Sequence, residues 1–283
     1  MPVFNGELYI EEAIQSILRQ DYLDYELLIL NDGSTDRTKD IVYKYIDEKK
    51  IFLFDYERKG LIGILNEGLM KCKSEFIARM DADDICLPNR LSKQIEYFEN
   101  NDKLGILGSG TYIVNSNGFL KYGHYPTISG GINNIMLDGN FICHPSAMFR
   151  AELIQKKGGY NQAFLHAEDY EFWLRCSEMC EINNTTEKLL MYREHDNNIS
   201  AKKFAHQNMT AEIIKFLYQN KLSRMVSIPK SVDFEFLHSI APKKNYDLII
   251  TKWTNDVRGM INSGRLNISD LDDYFLGFLN ADK

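Results

Sequence analysis

Several features are missing from this chain, and each absence narrows its class. No run of about eighteen apolar residues is present, which excludes a helix crossing a membrane. The N-terminus lacks the basic start and apolar stretch of a secretory signal. An excess of positive charge is also missing. The formal net charge is −7, so the chain as a whole is not built to bind nucleic acid. Its five cysteines, at positions 72, 86, 143, 176 and 180, form no Cys-x-x-Cys pair. An odd, scattered set points to reduced thiols and a cytoplasmic setting. There are no internal repeats and no low-complexity linker.

What remains is an ordinary globular composition, 44% hydrophobic and 26% charged over 283 residues. That length suits one large domain, or one domain with an appendage. The most informative stretch is Phe76 to Asp84, Phe-Ile-Ala-Arg-Met-Asp-Ala-Asp-Asp. A short apolar run reads as a buried strand. Asp81, Asp83 and Asp84 follow where a strand of an α/β sheet ends, the edge at which such sheets bind ligands. Carboxylates this close repel unless a cation or hydrogen-bond donors share the site. Hard divalent ions such as Mg²⁺ are held by one or two carboxylates plus substrate phosphates. Two readings therefore fit: a metal–phosphate site, or an acidic turn capping the next helix.

Periodicity organises the first half. Tyr9, Ile10, Ala13, Ile14, Ile17 and Leu18 repeat at helical spacing, and Glu26 to Leu30 reads as a strand. The strand runs into Asn31-Asp32-Gly33-Ser34-Thr35-Asp36, where Gly33 permits a tight turn and the hydroxyl or acid side chains can cap a helix. Ile41, Val42, Tyr45 and Ile46 mark that helix, Ile51 to Phe54 a third strand, and Leu61, Leu65 and Leu69 another helix. Strand then helix, repeated, predicts a parallel sheet flanked by helices. Asp32 and Asp81 then end two strands on one edge and can face one pocket. A helix after Pro88 carries Leu91, Ile95 and Phe98. Leu104–Leu107 and Thr111–Val114 read as two strands, with a turn at Asn117-Gly118. The signal is weak from Leu120 to Asn140, read as a mobile region near the site.

The second half has less periodicity and more unusual polar chemistry. Glu168 and Asp169 open a helix with Phe172, Trp173 and Cys176 on its apolar face. Acids in a first turn favour the helix dipole, which is the plain explanation for either one alone. Tyr192-Arg193-Glu194-His195 follows. Residues 201–231 carry six Lys or Arg and one acid, 6 − 1 giving +5, with Met209, Ile213, Phe216 and Leu217 at helical spacing. A packed helix with a solvated basic face explains this segment, and so does a helix lying on anionic lipid; the first is preferred.

The residues quoted resemble the inverting family 2 glycosyltransferases with a GT-A fold, over Met1 to about Ser200. Met-Pro-Val-Phe-Asn is similar to the end of that family's first strand, and Asn31 to Asp36 to its nucleotide-binding turn. Asp81-Ala82-Asp83 resembles its Asp-x-Asp metal motif, Glu168-Asp169 its catalytic acid pair, and Tyr192-Arg193-x-His195 a motif closing the site. The segments around Ala78-Arg79-Met80 and His144 to Arg150 look like the branch that builds bacterial surface polysaccharides. Two departures stand out. Ile64-Leu65-Asn66 replaces the Ala-Arg-Asn of many members, so a basic nucleotide contact is missing there, although one branch also has Leu-Asn. Members also carry several apolar residues before Pro-Val-Phe-Asn, so the first strand is expected to be cut short, by a misplaced start codon or by clipping.

The resemblance implies an α/β GT-A nucleotide-diphospho-sugar transferase fold, mainly a parallel sheet flanked by helices. Residues 1–200 would form the transferase domain and 201–283 a C-terminal helical extension. The activity implied is transfer of a sugar, with inversion, from a nucleotide-diphosphate sugar, UDP most readily. The acceptor would be a hydroxyl of a saccharide or lipid-linked saccharide, in cell-surface polysaccharide synthesis at the inner face of the membrane. Asp169 would be the base and Glu168 the acceptor-binding acid. Pro2, Phe4, Glu7, Asp32, Asn66, Asp81 and Ala82 would hold the nucleotide-sugar, and Asp83 and His195 a Mn²⁺ or Mg²⁺ ion. Two other enzyme classes and a non-enzyme remain. A sugar nucleotidyltransferase would want a Gly-rich basic loop after the first strand, and Asn5-Gly6-Glu7-Leu8 is no such loop. A glycosidase uses paired carboxylates but needs neither nucleotide nor metal. An inactive carbohydrate-binding homologue would keep the fold, yet here every motif acid is present.

Overall fold

A computed structural model describes residues 1–46, 50–121, 131–195, 198 and 202–280. The chain divides into two compact units. The first comprises residues 1–136, 140–160 and 172–194, and the second 137–139, 161–171 and 195–283. The second unit is thus more than the stretch after residue 200. Short upstream segments join it because they bond to it: Val232 N–H donates to the Ala163 carbonyl at 3.1 Å, and the Tyr218 hydroxyl to the Glu171 carboxylate at 3.0 Å.

The first unit opens with β1 (Pro2–Val3), α1 (Ile10–Leu18), β2 (Leu27–Asp32), α2 (Thr38–Tyr43), β3 (Ile51–Tyr56) and α3 (Gly60–Lys71). β1, β2 and β3 form a wholly parallel sheet in which Pro2 faces Leu30 and Leu27 faces Ile51. β2 is a nearly unbroken apolar run because helices cover both faces of such a sheet. Ile10, Ala13, Ile14 and Ile17 of α1 pack with Ile29, Ile41 and Val42 in one core, as their spacing predicts.

A second sheet holds β4 (Phe76–Ala78), β5 (Ile85–Cys86), β6 (Leu104–Val114), β7 (Met148–Arg150) and β8 (Glu181–Arg193), in the order β4-β7-β6-β8-β5. It is mixed: β6 and β8 run parallel, and the other pairs are antiparallel. The parallel pairing expected from the strand–helix alternation is complete in the first sheet, while the second mixes parallel and antiparallel pairs. α4 (Arg90–Glu99) precedes β6, α5 (Glu152–Lys157) follows β7, and α6 (Glu168–Cys176) precedes β8.

Leu104–Val114 is one strand, not two. Its central Gly108-Ser109-Gly110 looks like a break in sequence but serves close approach. A Cβ on Gly108 would fall 2.1 Å from the Asn184 side-chain oxygen, and the register against β8 shifts at Ser109 to Thr111. The Asn117-Gly118 turn forms as expected, with Val114 bridged to Leu120. Residues 122–130, part of the stretch expected to be mobile, lie outside the described residues.

β1 is short, and the two sheets are not joined through it. Only Leu30 and Asn31 of β2 pair with it. A cavity of about 570 Å³ is lined by Met1, Leu28 and Leu30 on one side and Phe76, Ile77 and Ala78 on the other. The Met1 amine is buried there, donates to the Leu28 carbonyl at 2.9 Å, and is pushed down to about 5 by that burial.

The second unit contains α7 (Phe204–Gln219), α8 (Phe234–Ile240), α9 (Lys243–Asn262) and α10 (Asp273–Asn280). Met209, Ile213, Phe216 and Leu217 are all buried within it. Trp253 on α9 donates its indole N–H to the Ala205 carbonyl at 2.9 Å and stacks on Phe234 and Phe275. The apolar stripe of α7 is therefore core, as the plain explanation held. A lipid-binding role for the segment would rest on its charge alone.

Candidate active site

Asp32 closes β2 and is almost wholly buried, at 2% exposure. Its carboxylate accepts the Lys59 N–H at 2.6 Å, the Gly60 N–H at 3.1 Å and Arg58 Nη1 at 2.6 Å. The turn after it needs Gly33, whose φ of +73° is left-handed and whose added Cβ would lie 3.1 Å from the Arg58 nitrogen. The strand end is tied to the loop after β1. Asn5 N–H donates to Ser34 Oγ at 2.9 Å, Thr35 N–H to Asn5 Oδ1 at 2.8 Å, and Gly6 N–H to Thr38 Oγ1 at 2.8 Å. Glu7 completes the clamp by accepting the Arg37 N–H at 3.1 Å. Phe4 stands beside this loop with its ring 43% exposed, while Pro2 is buried in β1.

Two of the expected residues have clear structural duties. Asn66 bonds both ends of its amide to the backbone of Tyr160, each at 2.8 Å. Tyr160 in turn donates or accepts at His144 Nε2, 2.9 Å away. The half-buried His144 packs edge-on against Trp173, and its desolvation, with the Arg79 charge, holds it well below the usual histidine range. Ala82 is buried between the two acids of its motif.

The acidic stretch folds as a compact cluster between β4 and β5. Carboxylate oxygens of Asp81, Asp83 and Asp84 lie within 4.8 Å of one another. The buried Arg79 pairs with Asp81 at 2.5 Å, and Arg90 Nη2 fixes the Arg79 carbonyl at 2.6 Å. Asp84 is 1% exposed and accepts the Arg193 N–H at 2.9 Å through one oxygen. Its other oxygen is buried without a hydrogen-bond partner among the described residues. Burial first, then repulsion from Asp83 and Asp81, pushes the Asp84 carboxyl well above the ordinary range. Burial, with Asp83 close by, also raises Asp81 against the pull of Arg79. A pocket that disfavours its own negative charge, with one oxygen unmatched, has the donor set a divalent cation requires.

Arg193 anchors this cluster. Its guanidinium is 1% exposed, donates to the Asp83 carbonyl at 2.7 Å and the Ser116 carbonyl at 3.0 Å, and pairs with Glu12. Arg58, Arg193 and the unmatched oxygen of Asp84 carry the site alongside the expected acids. Arg193 lay inside a recognised motif, but nothing local marked Arg58.

Glu168, Asp169 and His195 belong to the second unit. His166, left-handed at φ +67°, turns the chain into α6. Glu168 is buried at 4% exposure. Asp169 is half-buried, and its Oδ1 accepts the Tyr170 N–H at 2.8 Å, which fixes the carboxylate at the helix start. Phe172 and Trp173, belonging to the first unit, are fully buried behind it in sequence. The His195 N–H donates to Asn198 Oδ1 at 2.5 Å.

Comparison with known proteins bears on the family and the fold. The profile of Glycosyl transferase family 2 matches residues 1–158. The O-antigen biosynthesis glycosyltransferase WbnJ of Escherichia coli is 34% identical over 234 residues, covering 80% of this chain and 91% of that one. An uncharacterized glycosyltransferase of Haemophilus influenzae is 33% identical over 245 residues, 81% of this chain and 76% of that one. Among solved structures, TarS 1-349 of S. aureus in complex with UDP superposes with a TM-score of 0.59 at 20% identity. The match covers 76% of this chain and 64%, less than two thirds, of that one. The mannosyltransferase PcManGT of Pyrobaculum calidifontis, with GDP-Man and Mn²⁺, gives 0.58 at 15% identity, covering 98% of this chain and 81% of that one. These neighbours share the GT-A fold. The chain belongs to glycosyl transferase family 2 and is a glycosyltransferase.

Proposed function

We propose that the protein transfers a sugar from a nucleotide-diphosphate sugar, most readily a UDP-sugar, to a hydroxyl of a saccharide or lipid-linked saccharide, inverting the anomeric centre. The observation that carries this reading is the acidic cluster, with its clustered oxygens and one buried oxygen of Asp84 left unmatched. Asp83, helped by Asp84 and His195, would hold Mn²⁺ or Mg²⁺. Such an ion supplies charge stabilisation for the departing diphosphate. Asp81, oriented by Arg79, faces the ribose side of the donor, and Phe4 with Asp32 receives the nucleobase. Asp169 takes the proton of the attacking hydroxyl, a role worth about 10²–10⁴-fold that demands placement before an unusual pKa. Glu168 positions the acceptor. The relative named for O-antigen biosynthesis supports a role in surface polysaccharide synthesis, and such a role places the protein in the cytoplasm, at the inner face of the membrane.

The test is a panel of nucleotide sugars assayed for nucleotide release, with and without Mn²⁺ or Mg²⁺. Release from one donor class that stops in excess chelator is expected. Full activity in chelator would remove the metal role, and no turnover of any nucleotide sugar with saccharide acceptors would overturn the reading.

A further inference from the structure

Phe4 and Asp32, the two residues that would receive the base, are both engaged by a single side chain. The guanidinium carbon of Arg58 lies 3.4 Å from the centre of the Phe4 ring. Its Nη1 donates to the Asp32 carboxylate at 2.6 Å. Arg58 thereby does with one group what a nucleobase does with two features: it stacks a flat face on an aromatic ring and offers an N–H to a buried acceptor. A base laid on Phe4 takes the space the guanidinium fills, so both cannot be present.

We propose that Arg58 is a movable plug of the nucleobase site, seated on Phe4 and Asp32 in the free protein and displaced by the incoming base. The proposal rests on the nucleotide-sugar reading above. Its parts differ in mobility as a plug requires. The Arg58 side chain is 53% exposed and Phe4 is 43% exposed, whereas Asp32 is buried and fixed by the Lys59 and Gly60 N–H groups. Arg58 itself stands half in water, so its ion pair and cation–π contact release it at modest cost once the base offers Asp32 another donor. Asp32 cannot leave the exchange unmatched, because a buried carboxylate that loses a donor is penalised. The base must therefore bring a donor of its own. The ring N–H of uracil or guanine does so, while the corresponding ring nitrogen of cytosine or adenine carries a lone pair.

Arg58 also explains a feature of the sequence. The segment Ile64-Leu65-Asn66 lacks a basic residue, and Ile64 and Leu65 are buried. A cation reaches the base site from the preceding loop instead.

The experiment is calorimetric titration of UDP and CDP, with Mn²⁺, into the intact protein and into Arg58→Ala and Arg58→Met, each checked for folding by circular dichroism. Met keeps the aliphatic length and loses only the charged plane, so it covers the case in which Ala disturbs the loop. Removing a competitor raises apparent affinity by the reciprocal of the fraction of protein it had left open. Both variants should bind UDP about threefold to thirtyfold more tightly than the parent, the range two weak exposed contacts allow. CDP should bind more weakly than UDP in all three. UDP affinity that is unchanged within twofold, or that falls, would overturn the plug and leave Arg58 as a fixed partner of Asp32. Failure of UDP and of GDP, titrated alongside it, to bind the parent and both variants would instead overturn the nucleotide-sugar reading, and the plug with it.

Discussion

Replacing Arg193 with Met tests how the acidic cluster is held. The substitution keeps an aliphatic side chain in a buried position and removes every guanidinium donor. The backbone N–H of residue 193, which bonds Asp84, is untouched. Two carbonyls, of Asp83 and Ser116, lose donors at 2.7 and 3.0 Å in a place where the arginine is 1% exposed. Asp83 is half-buried, so its carbonyl left without a donor costs about 1–3 kcal/mol, whereas Ser116 is exposed and its carbonyl returns to water. The partner carboxylate, Glu12, is half-exposed and returns to water, so its loss adds little. A total of about 1–3 kcal/mol follows. Urea unfolding followed by circular dichroism measures it as a lower midpoint at unchanged slope. The same change frees the backbone carbonyl of Asp83, the residue proposed as the metal ligand. Supporting contacts of this kind are worth about 10–100-fold in metal affinity. Mn²⁺ titrations of nucleotide release should shift to higher metal by that factor. A loss under about 1 kcal/mol together with an unchanged Mn²⁺ requirement would refute the reasoning.

Asp169→Asn keeps size and helix start but cannot accept a proton. Donor and metal binding should stay near those of the parent while transfer falls by about 10²-fold or more, and transfer within threefold at saturating acceptor would move the search for the base to Glu168. An apolar strand of several residues fused ahead of Met1 should fill the cavity between β2 and β4 and convert the buried amine to an amide. Several side chains buried at about 1.5–3 kcal/mol each should raise the denaturation midpoint, and no rise would show that the gap is not a strand slot. Burial, reinforced by His206 5.1 Å away and by Lys203, holds His166 down at about 4 in the folded state. The unfolded chain takes up that proton first as pH falls, so stability is present above about pH 6.5 and lost between about 6.5 and 4. His166→Asn, which tolerates the left-handed backbone, should flatten the thermal-midpoint profile in that window, and an unchanged slope would assign it to other groups.

The amino-acid sequence by itself determined the strand–helix alternation of the first sheet, and with it the position of Asp32 at the end of β2. Periodicity is a local signal, set by which side chains must leave water, and Ile10 to Ile17 or Leu27 to Leu30 state it without help from the rest of the chain. The acid pair at a helix start was equally legible, because capping and dipole preferences act within a single turn. Long-range pairing left no such mark. Arg193 meets Asp84 across 109 positions, and Arg58 meets Asp32 across 26. An arginine in a polar loop looks the same in sequence whether it ends in solvent, in a carbonyl cradle or over a phenyl ring. Gly108-Ser109-Gly110 read as a break between strands, because only the facing Asn184 reveals that the missing Cβ makes room within a single strand. The same holds for the +5 segment. Its apolar stripe could not announce a destination, and burial against Trp253 and the neighbouring helices decided that it is core. Local chemistry fixed which residues can act. Tertiary packing decided which of them share water, charge and each other's hydrogen bonds, since those energies depend on distances that sequence separation does not encode.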